Sequence, residues 1–479
     1  MKSSHVFLLG LVCVAARPVL AEAKSPTPPP PLHTERLNPD QRGGVVRLSG
    51  ANSVGIQLVP DLLIAYGAEG KLKAPREEQG PLPEERTIVM QASETSRMLR
   101  GEVKAHGSTS AFNDLMAGRS DIGLSSRRVT LTETKTLAAS RTDDMLRSGN
   151  ENFISLDSVA FIVNRGNPIR ALSAAQLRDL MSGTTTRWSE LGGPDKPVSI
   201  YAHDDKSGTY EMVQQKMFGN GGTLSKTATL LESSEDLADA VASDPNAIGL
   251  VGTASIRNAQ PLSITSDCGL PPAEPTAFQV KTEEYPLSRR VYFYLADKRV
   301  PLADDFVRFA MSPAAQPSIE NAGFVGLNPL LSTDEPKAMP TEAASPVPPV
   351  ASSEAIAAQR QLLQEATAGA RRLSVTIRFD TAKATLDGNG LADLERLQHW
   401  MQQSGAGQSL TLVGHSSSDG NFDANVALSR RRAHEVEVRL HALGLQPSAS
   451  LGVGPIRPVA CETTAENGYL NRRVEVWVR

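Results

Sequence analysis

Apolar positions in this chain fall into two regimes. From residue 45 to residue 333, short apolar runs alternate with helical patterns; Ser158–Val163, Ala247–Val251 and Val291–Leu295 are the clearest runs. Runs of that length bounded by turn residues predict buried strands, and their alternation with helices predicts an α/β body. Past residue 353 the pattern changes. Leu391, Leu394, Leu397 and Met401 share one helical face, and Ala433, Val436, Leu440 and Leu443 share another that stops at Gly444. Val474–Val478 alternates as a closing strand, so a small α+β module is expected here.

Proline marks the joints. Ser25–Leu32 (SPTPPPPL) predicts an extended tether, and the Pro/Ala/Ser-rich tract before residue 353 predicts a linker. The expected organisation is a signal peptide at 1–23, a Pro-rich segment at 24–44 and a large domain at 45–333. A linker at 334–353, a helical connector at 354–372 and a C-terminal module at 373–479 follow. The signal peptide is read from Lys2, the apolar stretch Val6–Ala16 and the small-residue site Ala21-Glu22-Ala23. That stretch is too short to span a bilayer. The rival reading, lipid modification at Cys13, is disfavoured by the bulky Leu11-Val12 before it.

Composition narrows the function classes. Lys+Arg 49 against Asp+Glu 53 leaves a formal net charge of -4, which gives no electrostatic case for nucleic acid as a partner. Three cysteines supply neither a disulfide scaffold nor a Cys-rich zinc site. After signal removal Cys268 and Cys461 remain in different parts of the chain, and two free thiols are favoured over a bridge that would have to join two domains. Eight histidines include no HExxH spacing, and no metal or cofactor site is read.

Three turns in the large domain share a design in which small hydroxyl residues precede a helical pattern. They are Gly50-Ala51-Asn52-Ser53, Gly107-Ser108-Thr109-Ser110 and Ser207-Gly208-Thr209. The unpaired N–H groups of a first helical turn favour an anion, and hydroxyls there add donors. One such turn alone is an ordinary N-cap. The wider wording resembles the phosphate-binding proteins of bacterial phosphate ABC transporters, the PstS type, over roughly residues 45–330. The matching stretches are Leu48–Gly55, Ala105–Ser110, Ala117–Arg127, Asn164–Pro168, Trp188–Gly193 and Asp204–Thr209.

That resemblance implies a two-lobed periplasmic binding protein, type II-like, closing on phosphate or a similar small oxyanion. It puts Ser53, Ser108, Ser207, Gly208 and Thr209 at the phosphate donors and Asp121 at the acidic ligand position. A carboxylate acceptor selects protonated phosphate over sulfate. Where the family commonly has arginine, four residues before Ser207, this chain has His203; Lys206, Arg127 or Arg128 are candidates to restore the charge. An ABC transporter permease is the partner the resemblance implies.

Residues 373–479 resemble the OmpA-like C-terminal domain, a peptidoglycan-binding module. The likeness rests on Ile377–Thr381, Val413–Ser416, Asn425, Leu428–Ala433 and Asn471–Glu475. The family grips diaminopimelate with an aspartate and an arginine; Arg432 matches the arginine, and Ser417 stands at the aspartate. Asp419 and Asp380 are the substitute carboxylates, and Asn425 and Arg473 complete the expected wall-binding set. No series of aromatic-girdled alternating segments precedes the module, so no membrane barrel is read.

The resulting expectation is a non-enzymatic solute-binding protein in the periplasm of a Gram-negative bacterium, tied to the cell wall or outer membrane. The alternatives are a structural envelope or adhesion protein with a degenerate cleft and, behind that, a phosphohydrolase. Against the last, Ser207-Gly208-Thr209 carries no nucleophile elbow.

Overall fold

A computed structural model of the chain describes residues 43–93, 96–138, 145, 149–203, 212–218, 223–231, 233–333, 352–405 and 407–479. The expected signal peptide and residues Ser207, Gly208 and Thr209 lie outside the described residues, as does the linker up to residue 351.

The large domain begins with β1 (Gly44–Gly50), β2 (Lys73–Gln79), β3 (Glu85–Gln91), β4 (Met98–Lys104) and β5 (Ile122–Ser125). The long β6 (Glu151–Val163) is followed by β7 (Ala171–Ser173), β8 (Ser199–Ala202), β9 (Thr229–Leu230) and β10 (Ala247–Gly252). Then come β11 (Gln260–Pro261), β12 (Ser263–Thr265) and β13 (Ser288–Leu295). One mixed sheet runs β2-β3-β4-β1-β5-β13-β6-β10-β8-β9, with β11 paired to β6, while β7 and β12 form a separate pair. β1 is parallel to β4 and β5, whereas β13 runs antiparallel to both β5 and β6.

Two large cores and a smaller one, in which Ala160 and Ile162 pack with Leu237 and Val241, account for the apolar runs. Val46, Leu48, Leu62, Tyr66, Phe293 and Phe306 belong to the first. Phe161, Leu177, Leu180, Trp188, Ile248 and Leu250 belong to the second. Strands covered on both faces read as continuous apolar sequence, as Ala160–Val163 does. Because β6 and β13 serve both cores, two lobes share a continuous central sheet.

The C-terminal module opens with the helix Ser353–Thr367, then β14 (Arg371–Arg378), the helix Gly388–Gln403 and β15 (Leu410–Gly414). The helix Phe422–Ala442, β16 (Ala449–Gly452) and β17 (Arg473–Val478) complete it, and the sheet order is β14-β17-β15-β16. Leu394, Leu397, Ala433, Val436 and Leu440 pack on Leu373, Ile377, Val474 and Val476. Leu363, Phe422 and Trp477 cover the opposite face.

β17 is therefore an inner strand, and every one of its residues is buried. This corrects the placing of Arg473 in the wall-binding set. Its guanidinium is fully buried and donates to Glu475 Oε1 at 2.6 and 2.9 Å, serving the core instead. Burial lowers its pKa to about 10, although Glu475 pulls the other way.

The two domains are fastened together. Ser374 donates its N–H to the Leu330 carbonyl, and Leu331 bridges Leu373, so the end of the large domain lies along the edge strand β14. Arg378 Nε reaches Glu283 at 2.8 Å, and Arg372 pairs with Glu284. Cys268 and Cys461 form a disulfide with their Cα atoms 5.9 Å apart, across a sequence separation of 193. The expectation of two free thiols is overturned. Nothing local in the sequence links these cysteines; only the docking of the domains brings them into bonding range.

Candidate functional site

Two of the three hydroxyl turns meet at the C-terminal ends of the parallel strands β1 and β5. Gly50 has φ +149°, and a Cβ there would stand 1.9 Å from the Leu124 carbonyl oxygen. Only glycine lets β1 and β5 approach so closely, and Ala51 N–H then donates to that carbonyl at 2.9 Å. Gly107, at φ +93°, donates to the Gly50 carbonyl at 2.8 Å, which joins the second turn to the first. Ser53 opens the π-helical turn Val54–Leu58 that leads into the helix Val59–Glu69, and Ser108 opens the helix Ser108–Met116.

Ser53 makes no side-chain cap bond; its Oγ accepts from Arg289 Nη2 at 3.3 Å. Ser108 Oγ lies 3.1 Å from Ser126 Oγ and accepts the Ser126 N–H at 3.2 Å. Arg127 Nη2 donates to Thr109 Oγ1 at 3.2 Å. Of these residues, Ser126, Arg127 and Arg289 line a cavity of about 460 Å³, and Ser53, Ser108 and Thr109 reach it only through their bonds to those three. Five of its lining side chains are cationic, Arg127, Arg128, Lys216, Arg289 and Arg290, against one carboxylate, Glu283. Met212, where the chain is described again after the third turn, lines the same cavity.

The cations are held in place by carboxylates set behind the cavity surface. Arg289 pairs with Asp157 at 2.8 Å, Arg127 with Glu133 at 2.7 Å and Arg128 with Glu151 at 2.9 Å. Burial works against the Arg128 charge, but Glu151 outweighs it and keeps the guanidinium above its ordinary pKa. Burial likewise opposes the carboxylate of Glu283, yet Arg290 and Arg378 overcome it and lower the pKa to about 2. Glu283 is thus a spent acid, claimed by two arginines. The site can attract and hydrogen-bond an anion.

Two expected ligands of that anion are elsewhere. Asp121 precedes β5 at its N-terminal end, while Ser126 follows its C-terminal end, and five residues of extended chain span roughly 16 Å. Its carboxylate accepts from Arg47 Nη2 at 2.6 Å, from Arg47 Nε at 3.1 Å and from the Arg47 N–H at 2.8 Å. Asp121 therefore pins β1 to β5 and is no acceptor in the cavity. Ser126, a hydroxyl, stands at the cavity end of the same strand.

His203 is also committed. Its Nδ1 lies 2.9 Å from the Leu231 carbonyl, which can only accept, so Nδ1 carries the proton. Nε2, 3.1 Å from Ser234 Oγ, then accepts that hydroxyl. The buried ring ties the end of β8 to the helix Ser234–Ser243 and has no N–H left for a ligand. The cations that do line the cavity include Arg289 and Arg127. Arg127 stood among the sequence candidates. Arg289 did not, because only the pairing of β13 between β5 and β6 carries it to Ser53.

In the C-terminal module, Arg432 is buried under the Phe379 ring, 5.3 Å from its centroid. It donates to the carbonyls of Lys383 at 2.9 Å and Asp380 at 3.1 Å, and among the described residues no carboxylate pairs with it. Burial, then Arg472 and Arg431, lowers its pKa to about 10. A carboxylate ligand would supply the missing counter-charge. The Asp380 carboxylate pairs with Lys383 at 3.0 Å, and Asn425 Nδ2 fixes the Asp419 carbonyl at 2.8 Å. Glu462, which the sequence did not single out, accepts the Ser418 N–H at 2.8 Å and Asn471 Nδ2 at 2.7 Å. It anchors the loop that carries Ser417 and Asp419, and it neighbours the disulfide-bonded Cys461.

Residues 88–314 match the PBP superfamily domain, and residues 378–472 match the OmpA family. The chain is thus similar to the PBP superfamily over the first stretch and to the OmpA family over the second, and these stretches are called the PBP-like and OmpA-like domains below. The PBP-like domain is similar to the phosphate-binding protein PstS of Staphylococcus saprophyticus, 26% identical over 233 residues that cover 46% of this chain and 69% of that protein. It is also similar to protein SphX of Synechocystis sp., 26% identical over 227 residues, 45% of this chain and 66% of that one. The OmpA-like domain is 36% identical over 110 residues to outer membrane porin F of Pseudomonas aeruginosa, spanning 22% of this chain and 31% of the porin. Each likeness covers a single domain.

Proposed function

We propose that this protein is a binding protein of the cell envelope, not an enzyme. Its PBP-like domain takes phosphate or a related oxyanion, and its OmpA-like domain holds it to peptidoglycan. The observation that carries the first half is the meeting of the Ser53 and Ser108 turns with Ser126, Arg127 and Arg289 at one cationic cavity. The names of the PstS relatives agree with it. For the second half, Arg432 is a buried cation lacking an acid partner among the described residues, in the position where the family receives a carboxylate. A periplasmic location is part of the proposal, and the disulfide, a bond that persists in an oxidising compartment, supports it. Hand-over to a transporter permease belongs to the same proposal.

Calorimetric titration of the full chain with phosphate tests the first half. Arg289→Leu removes a charged donor worth about 1.5–3 kcal/mol, so affinity should fall by roughly ten- to a hundredfold. Unchanged affinity would remove Arg289 from the site. Without Asp121 in the cavity, sulfate should compete with phosphate.

A further inference from the structure

The cavity that takes the anion is not lined by the PBP-like domain alone. Asn389, Tyr469 and Leu470 of the OmpA-like domain line it beside Arg290 and Tyr292. The lining from the second domain is held firmly. Arg378 joins Glu283 to the Leu470 carbonyl, Asn389 Nδ2 donates to Glu151 Oε1 at 3.2 Å, and the Cys268–Cys461 disulfide ties the domains covalently.

The space is far larger than one oxyanion. At roughly 30 Å³ per water, orthophosphate displaces about two or three waters, a small part of 460 Å³. Cavities of a few hundred Å³ suit small organic ligands. The chemistry of the lining also divides. Ser126 and Arg289, which Ser108 and Ser53 contact from behind, offer donors suited to a phosphoryl group. Tyr292 and Tyr469 gather with Arg290, and burial raises both phenol pKa values, so both remain neutral hydroxyls. Tyr469 Oη makes no hydrogen bond to a described residue. Phenol rings on the same lining as Arg290, with the Asn389 amide nearby, make a surface for a polar ring rather than for more charge.

Building on the phosphate reading above, we infer that this is a site shared by two domains. Tyr469 and Asn389 fit it to a phosphate monoester with a ring-sized polar substituent, such as a sugar phosphate, rather than to free orthophosphate. The phosphoryl group lies at the Ser126–Arg289 end, and the ring lies against Tyr469.

The test is calorimetry of the full, oxidised chain with glucose 6-phosphate, orthophosphate and pyrophosphate. Glucose 6-phosphate should bind at least about tenfold tighter than orthophosphate. Tyr469→Ala should erase that advantage while changing orthophosphate affinity by less than about twofold. Tyr469→Phe, which keeps the packing, should lose part of it and guards against a folding defect in the alanine variant. Equal affinities in the wild type, equal weakening of both ligands by Tyr469→Ala, or tighter binding of pyrophosphate than of the sugar phosphate would each overturn the shared site. Loss of the sugar-phosphate preference with orthophosphate still bound defeats only this inference. Binding of none of the three defeats the phosphate reading itself.

Discussion

Arg378 of the C-terminal module and Glu283 of the large domain meet at 2.8 Å, and Arg290 grips the same carboxylate at 2.6 Å from the cavity side. One acid therefore joins an arginine that lines the anion cavity to an arginine on β14. Two residues beyond Arg378 on the same strand path is Asp380, whose carbonyl accepts from Arg432. The domain interface and the two candidate sites share this short stretch of structure.

Removing that acid should be costly. Glu283→Gln leaves two largely buried guanidinium groups without their counter-charge, and a broken buried pair costs about 3–5 kcal/mol. Denaturant unfolding of the full chain measures it; a loss below about 1 kcal/mol, the scale of an exposed pair, would contradict the account.

Acid should act on two groups in succession. Burial, then Arg473, lowers the His415 pKa from 6.5 to about 4. The unfolded chain therefore binds that proton first, and stability present above pH 6.5 is lost as pH falls toward 4, on the order of 3 kcal/mol. Glu283, held at about 2 in the fold, adds stability above its ordinary value of 4.5 that is lost as pH falls toward 2. Melting temperatures measured from pH 7 to pH 3 should decline throughout, and His415→Gln should flatten the upper part of the decline.

Breaking the disulfide should affect both stability and the proposed wall contact. Reducing Cys268–Cys461, or replacing both residues with serine, should cost about 2–5 kcal/mol. It should also weaken co-sedimentation with purified sacculi, because Glu462 beside Cys461 holds the Ser417–Asp419 loop. Unchanged sedimentation after reduction would separate the two.

Arg432→Ala should abolish sedimentation, whereas Ser417→Asp should strengthen it by restoring an acid for the ligand's ammonium group, about tenfold for a charge-assisted bond. Sedimentation that survives Arg432→Ala would place the wall contact elsewhere.

Local signals were legible and long-range ones were not. Ser53 and Ser108 announce themselves by glycine before a hydroxyl before a helix, and the core faces of the OmpA-like domain follow from helical spacing. Asp121 sits in the same motif as Ser126, but extended chain turns five residues of separation into opposite ends of a strand. Arg289 reads as one cation in SRRVYFYL; it reaches Ser53 across 236 residues only because β13 crosses between the lobes. The Cys268–Cys461 bond depends on how two domains dock, and no spacing within either domain encodes that.

The central claim is that the cationic cavity beside Ser108 binds an oxyanion. Its most direct test is calorimetric titration of orthophosphate into the full chain and into Ser108→Asp, which puts a carboxylate against Ser126 of the cavity lining. Saturable one-to-one binding in the wild type that is lost in Ser108→Asp is the predicted result. No saturable binding in the wild type, or equal binding in a folded Ser108→Asp, would contradict it.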